Sequence, residues 1–242
     1  MQRIKLVLEY DCTAYSGWQI QNGQTSIQQL LEQAFFVLFK IPIRVTAAGR
    51  TDAGVHARNQ VVHCDIPAFD LFRLKRSLNG LMNRDIVVKS VREAPVDFHA
   101  RFDATARLYR YYISLDNIAI NRSYCWTVHY PLNLTLMQIA AKVLLEYENF
   151  QAFCKVKSDA SNHLCDMISS HWFRQNELLV YEIKANRFLH GMVRAIVGTL
   201  VELGRGKITL LEFKQMIESR NRTLVPATAP ACGLVLEDVF YK

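Results

Sequence analysis

The stretch AGRTDAGVHA, residues 48–57, holds a single carboxylate, Asp52, between Gly49 and Gly54, with Arg50 two residues before it. Glycine on either side permits a sharp turn and a close approach by another molecule. Asp and Gly are also ordinary residents of turns, so a polar turn between two strands is the bland alternative. The stretch is no phosphate cradle, because it lacks the lysine of a P-loop and the glycine spacing of a dinucleotide fingerprint. A carboxylate near an arginine can be a structural ion pair, a general base or a nucleophile. The cation favours the ionised form, which suits nucleophilic attack and cannot act as a general acid.

Two further stretches offer chemistry. ATARLYRYYI puts Tyr109 and Tyr111 on one face of an expected strand, with Arg110 and Tyr112 on the other. Aromatic residues interleaved with arginines resemble a base-stacking surface, although tyrosine is also a favoured strand residue. In NRFLHGMVRAIVG, Arg194 interrupts an apolar helix. A charge buried there needs a partner, and Asp52 would suit it. His190 reads as a packed or surface residue. Cys154, His163 and Cys165 lie close in sequence but without a fourth ligand at metal-site spacing, so no metal is expected.

Charge and composition narrow the setting. The 242 residues are half hydrophobic, enough for one large domain or two small ones with real cores. The net charge is +7, which permits a nucleic-acid partner without proving one. From Arg73 to Arg110 there are nine basic and four acidic residues; from Lys184 to Arg222 there are eight and three. These two segments each carry +5, so the remainder carries −3. They line one groove or form two separate solvated faces. The opening MQRIKLVLEYDC is not a signal peptide, since charges interrupt its apolar run. No stretch approaches the ~20 apolar residues of a membrane span. Six scattered cysteines without a CxxC pair read as reduced thiols, and a cytoplasmic location is expected.

These residues need elements to position them. Ile4, Leu6, Leu8 and Tyr10 alternate as in a strand with one buried face. Thr25 or Ser26 can cap a helix with Ile27, Leu30, Leu31, Ala34, Phe35 and Leu38 on one side, closed by Pro42. IRVTAA reads as a strand entering the Asp52 turn and QVVHCDI as the strand leaving it. A helix over Leu71–Leu81 and the strand DIVVKSV complete a β-α-β-loop-β-α-β half. The second half repeats this loosely: strand RLYRYYISL, helix LTLMQIAAKVLLEY, two strands in HWFRQNELLVYEIKA turning at Gln175–Asn176, helices FLHGMVRAIVGTLVEL and TLLEFKQMIES, and strand GLVLEDVFY. Short connections imply antiparallel pairing. The expectation is an α+β protein of two similar layered halves, residues 1–102 and 103–242, whose mostly antiparallel sheets meet at a central cleft.

AGRTDAGVHA, then DFHARFDATARLYRYYI, then IKANRFLHGMVRAIVG, together resemble the TruA-type family of tRNA pseudouridine synthases. The likeness runs in order from LEYDCTAYSGWQIQN to RTLVPATAPACGLVLEDV, nearly the whole chain. It implies the pseudouridine synthase fold and a cofactor-free isomerisation, in which a uridine is detached from its ribose, turned over and rejoined through carbon. It implies the anticodon stem-loop of tRNA as substrate, at positions 38, 39 and 40, and a homodimer with tRNA across both subunits. Asp52 matches the catalytic aspartate, expected as nucleophile, Tyr109 the tyrosine against the target base, Arg50 the arginine beside the aspartate, and Arg194 the arginine that pairs with it. Asp52 attacks the ribose C1′, attacks the base at C6, or abstracts a sugar proton; all three stay open. Arg58, Arg101, Arg107 and Arg110 are candidates to hold the RNA backbone. In one place the chain departs: after FCKVKSDASNHLC, where the family carries a basic residue, stand Cys165, Asp166 and Met167. A non-catalytic RNA-binding protein is the rival from another class, but it leaves Asp52 without a purpose, since a carboxylate repels phosphate. A glycoside hydrolase needs a paired acid at defined separation, and no spacing singles out Asp11, Asp103 or Glu237.

Overall fold

Alternation builds β1 (Gln2–Tyr10): Ile4, Leu6, Leu8 and Tyr10 are buried while their neighbours stay partly exposed. The computed structural model of the chain describes residues 1–155, 162–226 and 228–242. Ser26, not Thr25, caps α1 (Ile27–Phe39) by accepting from the Gln29 N–H, and Lys40 ends it in the left-handed conformation, two residues before Pro42. The strand expected over IRVTAA shrinks to β2 (Thr46–Ala47), because the Val45 N–H goes to Glu32 Oε1 at 3.2 Å instead of to a neighbouring strand. Then follow β3 (His56–Ile66), α2 (Leu71–Leu81), capped by Asp70 on the Arg73 N–H, and β4 (Ile86–Glu93).

The aromatic strand is β5 (Ala106–Ser114). A two-residue strand with no strong signal of its own, β6 (Trp126–Thr127), comes next, then α3 (Leu134–Val143). β7 (Met167–Gln175) and β8 (Leu178–Ala185) form the expected hairpin about Asn176, whose φ is 54°. The apolar helix α4 (Met192–Gly204) begins after Gly191, four residues later than its apolar pattern, because the Met192 N–H bonds the Leu189 carbonyl in a preceding turn. Thr209 and Glu212 make a reciprocal capping box on α5 (Leu210–Ser219). β9 (Leu234–Phe240) closes the chain.

The chain forms two compact units, one of Met1–Thr105 with Val235–Lys242, the other of Ala106–Leu234. The first unit differs from the expected residues 1–102 by its return segment. β9 runs parallel to β3 with Val235 opposite His56, Asn59 Nδ2 donates to the Glu237 carbonyl at 2.8 Å, and the Tyr241 hydroxyl donates to the Ala100 carbonyl at 2.6 Å. No local pattern in the sequence marks that return. The strand order is β4-β1-β3-β9 in this unit and β5-β8-β7 in the other, with β2 on β3 and β6 on β5. Pairing is antiparallel at β1–β3, β1–β4, β5–β8 and β7–β8. The protein is thus a mixed α+β chain with mostly antiparallel sheet and five α-helices among the described residues. None of those helices is long and apolar enough to cross a membrane.

Candidate active site

Asp52 sits in a loop whose backbone is gripped from several sides. On leaving β2, the Ala48 N–H bonds the Val61 carbonyl at 2.8 Å, and Gln60 Nε2 donates to the Gly49 carbonyl at 2.7 Å. The Trp18 N–H then takes the Thr51 carbonyl at 3.0 Å, and the Val55 N–H takes the Asp52 carbonyl at 3.1 Å. Gly54 turns the chain with φ 74°, the conformation expected of a glycine beside the aspartate. Gly49 has no such φ, and a Cβ there would meet nothing within 4 Å. Asp52 is left half-exposed and Arg50 exposed. Among the described residues Arg50 makes no ion pair with Asp52, which removes the local ion pair as the reason for this loop.

Beneath the loop lie Cys12, His56 and Tyr10, buried like Thr51 of the loop itself. The Cys12 N–H donates to His56 Nδ1 at 3.1 Å, and burial pushes the Cys12 thiol above its ordinary range, so it stays a donor toward the Tyr15 carbonyl. Tyr10 and Thr51 share a 2.8 Å hydrogen bond between their hydroxyls. Neither Tyr10, Gly17, Trp18 nor Gln60 stood out in the sequence. YSGWQ held the only signal, a glycine between aromatic residues, and nothing local said which loop it would touch.

The second unit carries Tyr109, Arg107, Arg110 and Arg194. Tyr109 and Tyr111 share the buried face of β5; Arg110 and Tyr112 lie half-exposed on the other. Tyr109 packs edge-on against Phe188, with ring centroids 5.2 Å apart at 90°. Tyr111 is wholly buried, its hydroxyl donating to the Pro230 carbonyl at 2.8 Å. Arg194, in the first turn of α4, is half-exposed, and its Nε donates to the Ala229 carbonyl at 2.9 Å. The Ala229 N–H returns a bond to the Arg194 carbonyl at 3.0 Å, so the side chain leaves the helix from a fixed root.

The four backbone candidates differ in what already holds them. Arg107 is buried and donates to the Asn186 carbonyl at 2.7 Å. Arg110 donates to Glu182 at 2.8 Å and lies over the Phe173 ring. Arg58 is exposed at 3.3 Å from Glu237, and Arg101 is exposed beside Phe102.

The departure at Cys165–Met167 has a local use. The Asp166 N–H donates to Asn186 Oδ1 at 3.0 Å, and Asn186 returns bonds from its side-chain amide and its backbone N–H to Asp166. This reciprocal clasp joins the start of β7 to the end of β8, and Arg107 caps it. Burial pushes the Cys165 thiol up to about 12. Residues 156–161 of the preceding stretch lie outside the described residues. Replacing Asn186 with Ala strips Asp166 of both side-chain bonds while leaving the carbonyl that Arg107 uses. It should cost about 1–2 kcal/mol of stability, read as a lower urea midpoint at unchanged slope; an unshifted midpoint would show the clasp to be idle.

A family model described as tRNA pseudouridine synthase matches residues 7–103 and 140–242. The chain is 42% identical to tRNA pseudouridine synthase A of Bacteroides fragilis over 244 aligned residues, covering 100% of this chain and 97% of that protein. It is 38% identical to the protein of the same name from Parabacteroides distasonis, covering 100% and 96%, and 38% identical to that from Geobacillus kaustophilus, covering 100% and 95%.

Proposed function

Since this chain belongs to the tRNA pseudouridine synthase family, we propose that it converts uridine to pseudouridine in tRNA, at positions 38, 39 and 40 of the anticodon stem-loop. The observation that carries this is Asp52 itself, a half-exposed carboxylate on a backbone held by hydrogen bonds at Ala48, Gly49, Thr51 and Asp52. A carboxylate repels phosphate, so an RNA-binding loop has no use for it except chemistry.

The isomerisation breaks the N1–C1′ bond, forms a C5–C1′ bond, releases the C5 hydrogen to water and puts a proton on N1. Electrons balance without a redox partner. The base must first leave the stacked stem-loop, at a cost of a few kcal/mol. Asp52 supplies the ionised carboxylate that opens the reaction. Tyr109 lies against the extruded base, Arg50 stands beside the aspartate, and Arg194 is its charge partner. Arg58 and Arg101, the two exposed candidates, take phosphate; Arg107 and Arg110 already hold groups of their own sheet and contribute less. Phosphate contacts position RNA without reading its sequence, which suits an enzyme that accepts neighbouring uridines. The same proposal carries the two similar halves with RNA at a central cleft, a homodimer with tRNA across both subunits, and a cytoplasmic setting in which the six cysteines stay reduced.

The test is release of tritium from C5-labelled unmodified tRNA, followed by mapping of the product. Label in water, with pseudouridine at 38, 39 or 40, is the expected result. Tight binding without release would leave a non-catalytic RNA-binding protein, and free uracil would mean hydrolysis. Light scattering should give twice the mass of one chain.

Tyr109 and Tyr112 separate a stacking role from ordinary strand packing. Replacing Tyr109 with Leu should lower turnover by about 100-fold, within the range of losing one positioned catalytic contact. The same change at Tyr112, on the opposite face of β5, should cost less than about 3-fold. Equal losses would contradict the stacking role.

A further inference from the structure

Two residues outside the Asp52 loop support it, Gln60 and Tyr10. Gln60 in β3 is wholly buried. Its Nε2 lies 2.7 Å from the Gly49 carbonyl, which can only accept, so nitrogen and not oxygen must face that carbonyl. The second hydrogen of the same amide points to the Tyr10 hydroxyl at 3.3 Å. Tyr10 therefore receives at its oxygen, and its hydroxyl shares a 2.8 Å hydrogen bond with Thr51 Oγ1. A continuous hydrogen-bond chain thus links Gln60, Tyr10 and Thr51. It holds the Asp52 loop at Gly49 and at Thr51, on both sides of Arg50 and up to the residue before the aspartate.

The arrangement has a cost that packing alone would not keep. Gln60 Oε1 is buried and has no hydrogen-bond partner, and buried polar atoms are ordinarily satisfied. Tyr10 and Thr51 are almost fully buried as well. An apolar trio would fill the space without an orphaned oxygen, but it would leave the Gly49 carbonyl and the loop without a fixed anchor. A displacement near 1 Å at a reacting group is enough to cost about 100-fold in rate.

We propose that Gln60 and Tyr10 are positioning residues that fix the Asp52 loop through a hydrogen-bond chain that reaches Gly49 and Thr51. The inference rests on the reading of Asp52 as the reacting carboxylate. Tyr10→Phe keeps the ring and removes the middle of the chain. It lowers the single-turnover rate about 10- to 30-fold, with tRNA affinity within about 2-fold of the parent. Thr51→Val, nearly isosteric and without the hydroxyl, does the same, and Thr51→Ser recovers most of what Thr51→Val loses. The double variant Tyr10→Phe/Thr51→Val is no worse than either single one, because both cut one chain. Gln60→Glu sets a carboxylate oxygen against the Gly49 carbonyl at pH 8. As pH falls the introduced carboxyl takes a proton and can donate, so its rate relative to the parent rises.

Parent activity is measured first, as tritium release from C5-labelled tRNA. A silent parent overturns the reading of the site, whatever the variants do. With an active parent, three outcomes overturn the chain alone: Tyr10→Phe at the parental rate, additive losses in the double variant, or affinity falling in step with rate.

Discussion

Asp52→Asn should abolish pseudouridine formation, by roughly 10⁴-fold or more, the scale of losing a reacting carboxylate in other enzymes. That is about 5 kcal/mol of lost transition-state stabilisation. The substitution is close to isosteric, and the bonds that shape the loop are to its backbone. The Val55 N–H uses the Asp52 carbonyl, the Trp18 N–H the Thr51 carbonyl and Gln60 the Gly49 carbonyl, and none of these depends on the charge. The loop should therefore keep its backbone form. Affinity for tRNA should stay within about 3-fold or tighten, because a negative charge facing phosphate is removed. Single-turnover tritium release beside filter binding separates the two effects. Turnover within about 100-fold of the parent would take Asp52 out of the chemistry.

The elements were legible where one rule acted alone. Alternation marked β1, Thr25 or Ser26 marked the start of α1, and Gln175–Asn176 marked the β7–β8 turn. They were misread where a distant residue decided. Glu32, thirteen residues earlier, takes the Val45 N–H and leaves β2 only two residues long. The return of β9 to β3 depends on partners more than 170 residues apart, such as Asn59 and Glu237, so no window of sequence contains the evidence. The alternating faces of β5 were also readable, yet burial divides its tyrosines in a way that pattern could not. Tyr111 gives its hydroxyl to the Pro230 carbonyl, whereas Tyr109 packs edge-on against Phe188.

Asp52 stood out because it is the single carboxylate of a glycine-flanked stretch. Its supports did not, because a positioning residue is defined by what it touches. Tyr10 looked like the last buried position of an alternating strand, and it is that as well. Gln60 looked like a polar residue at the mouth of a strand; its total burial shows only in the fold.

Gly17 is where backbone space and the placement of Asp52 meet, and Gly17→Ala should be the most damaging substitution outside the reacting group. Its φ is 88°, a region that side chains with a Cβ rarely adopt. An added Cβ would stand 2.5 Å from the Thr51 carbonyl oxygen and 2.8 Å from the Asp52 carbonyl carbon. Something must move, and neither side is able to move cheaply. The Gly17 carbonyl receives the Ile27 N–H at 3.1 Å and the Trp18 carbonyl the Gln28 N–H at 3.0 Å, tying this segment to the start of α1. On its other side Tyr15 donates to Asp85 at 2.7 Å and accepts from Asn83 at 2.9 Å. The Asp52 loop is tied just as firmly through Gly49 and Thr51. We expect a loss of about 2–4 kcal/mol in stability, from a left-handed site combined with a backbone clash. Turnover should fall at least about 100-fold even at temperatures where the variant is folded, because the strain is relieved by shifting the reacting loop. Gly23→Ala is the matched control: φ is 74° there too, but a Cβ meets nothing within 4 Å, so it carries the conformational cost without the clash. Melting curves and single-turnover rates of the two variants separate the terms. Equal damage from both would assign the effect to φ alone and leave the close approach of Gly17 without a role in holding Asp52.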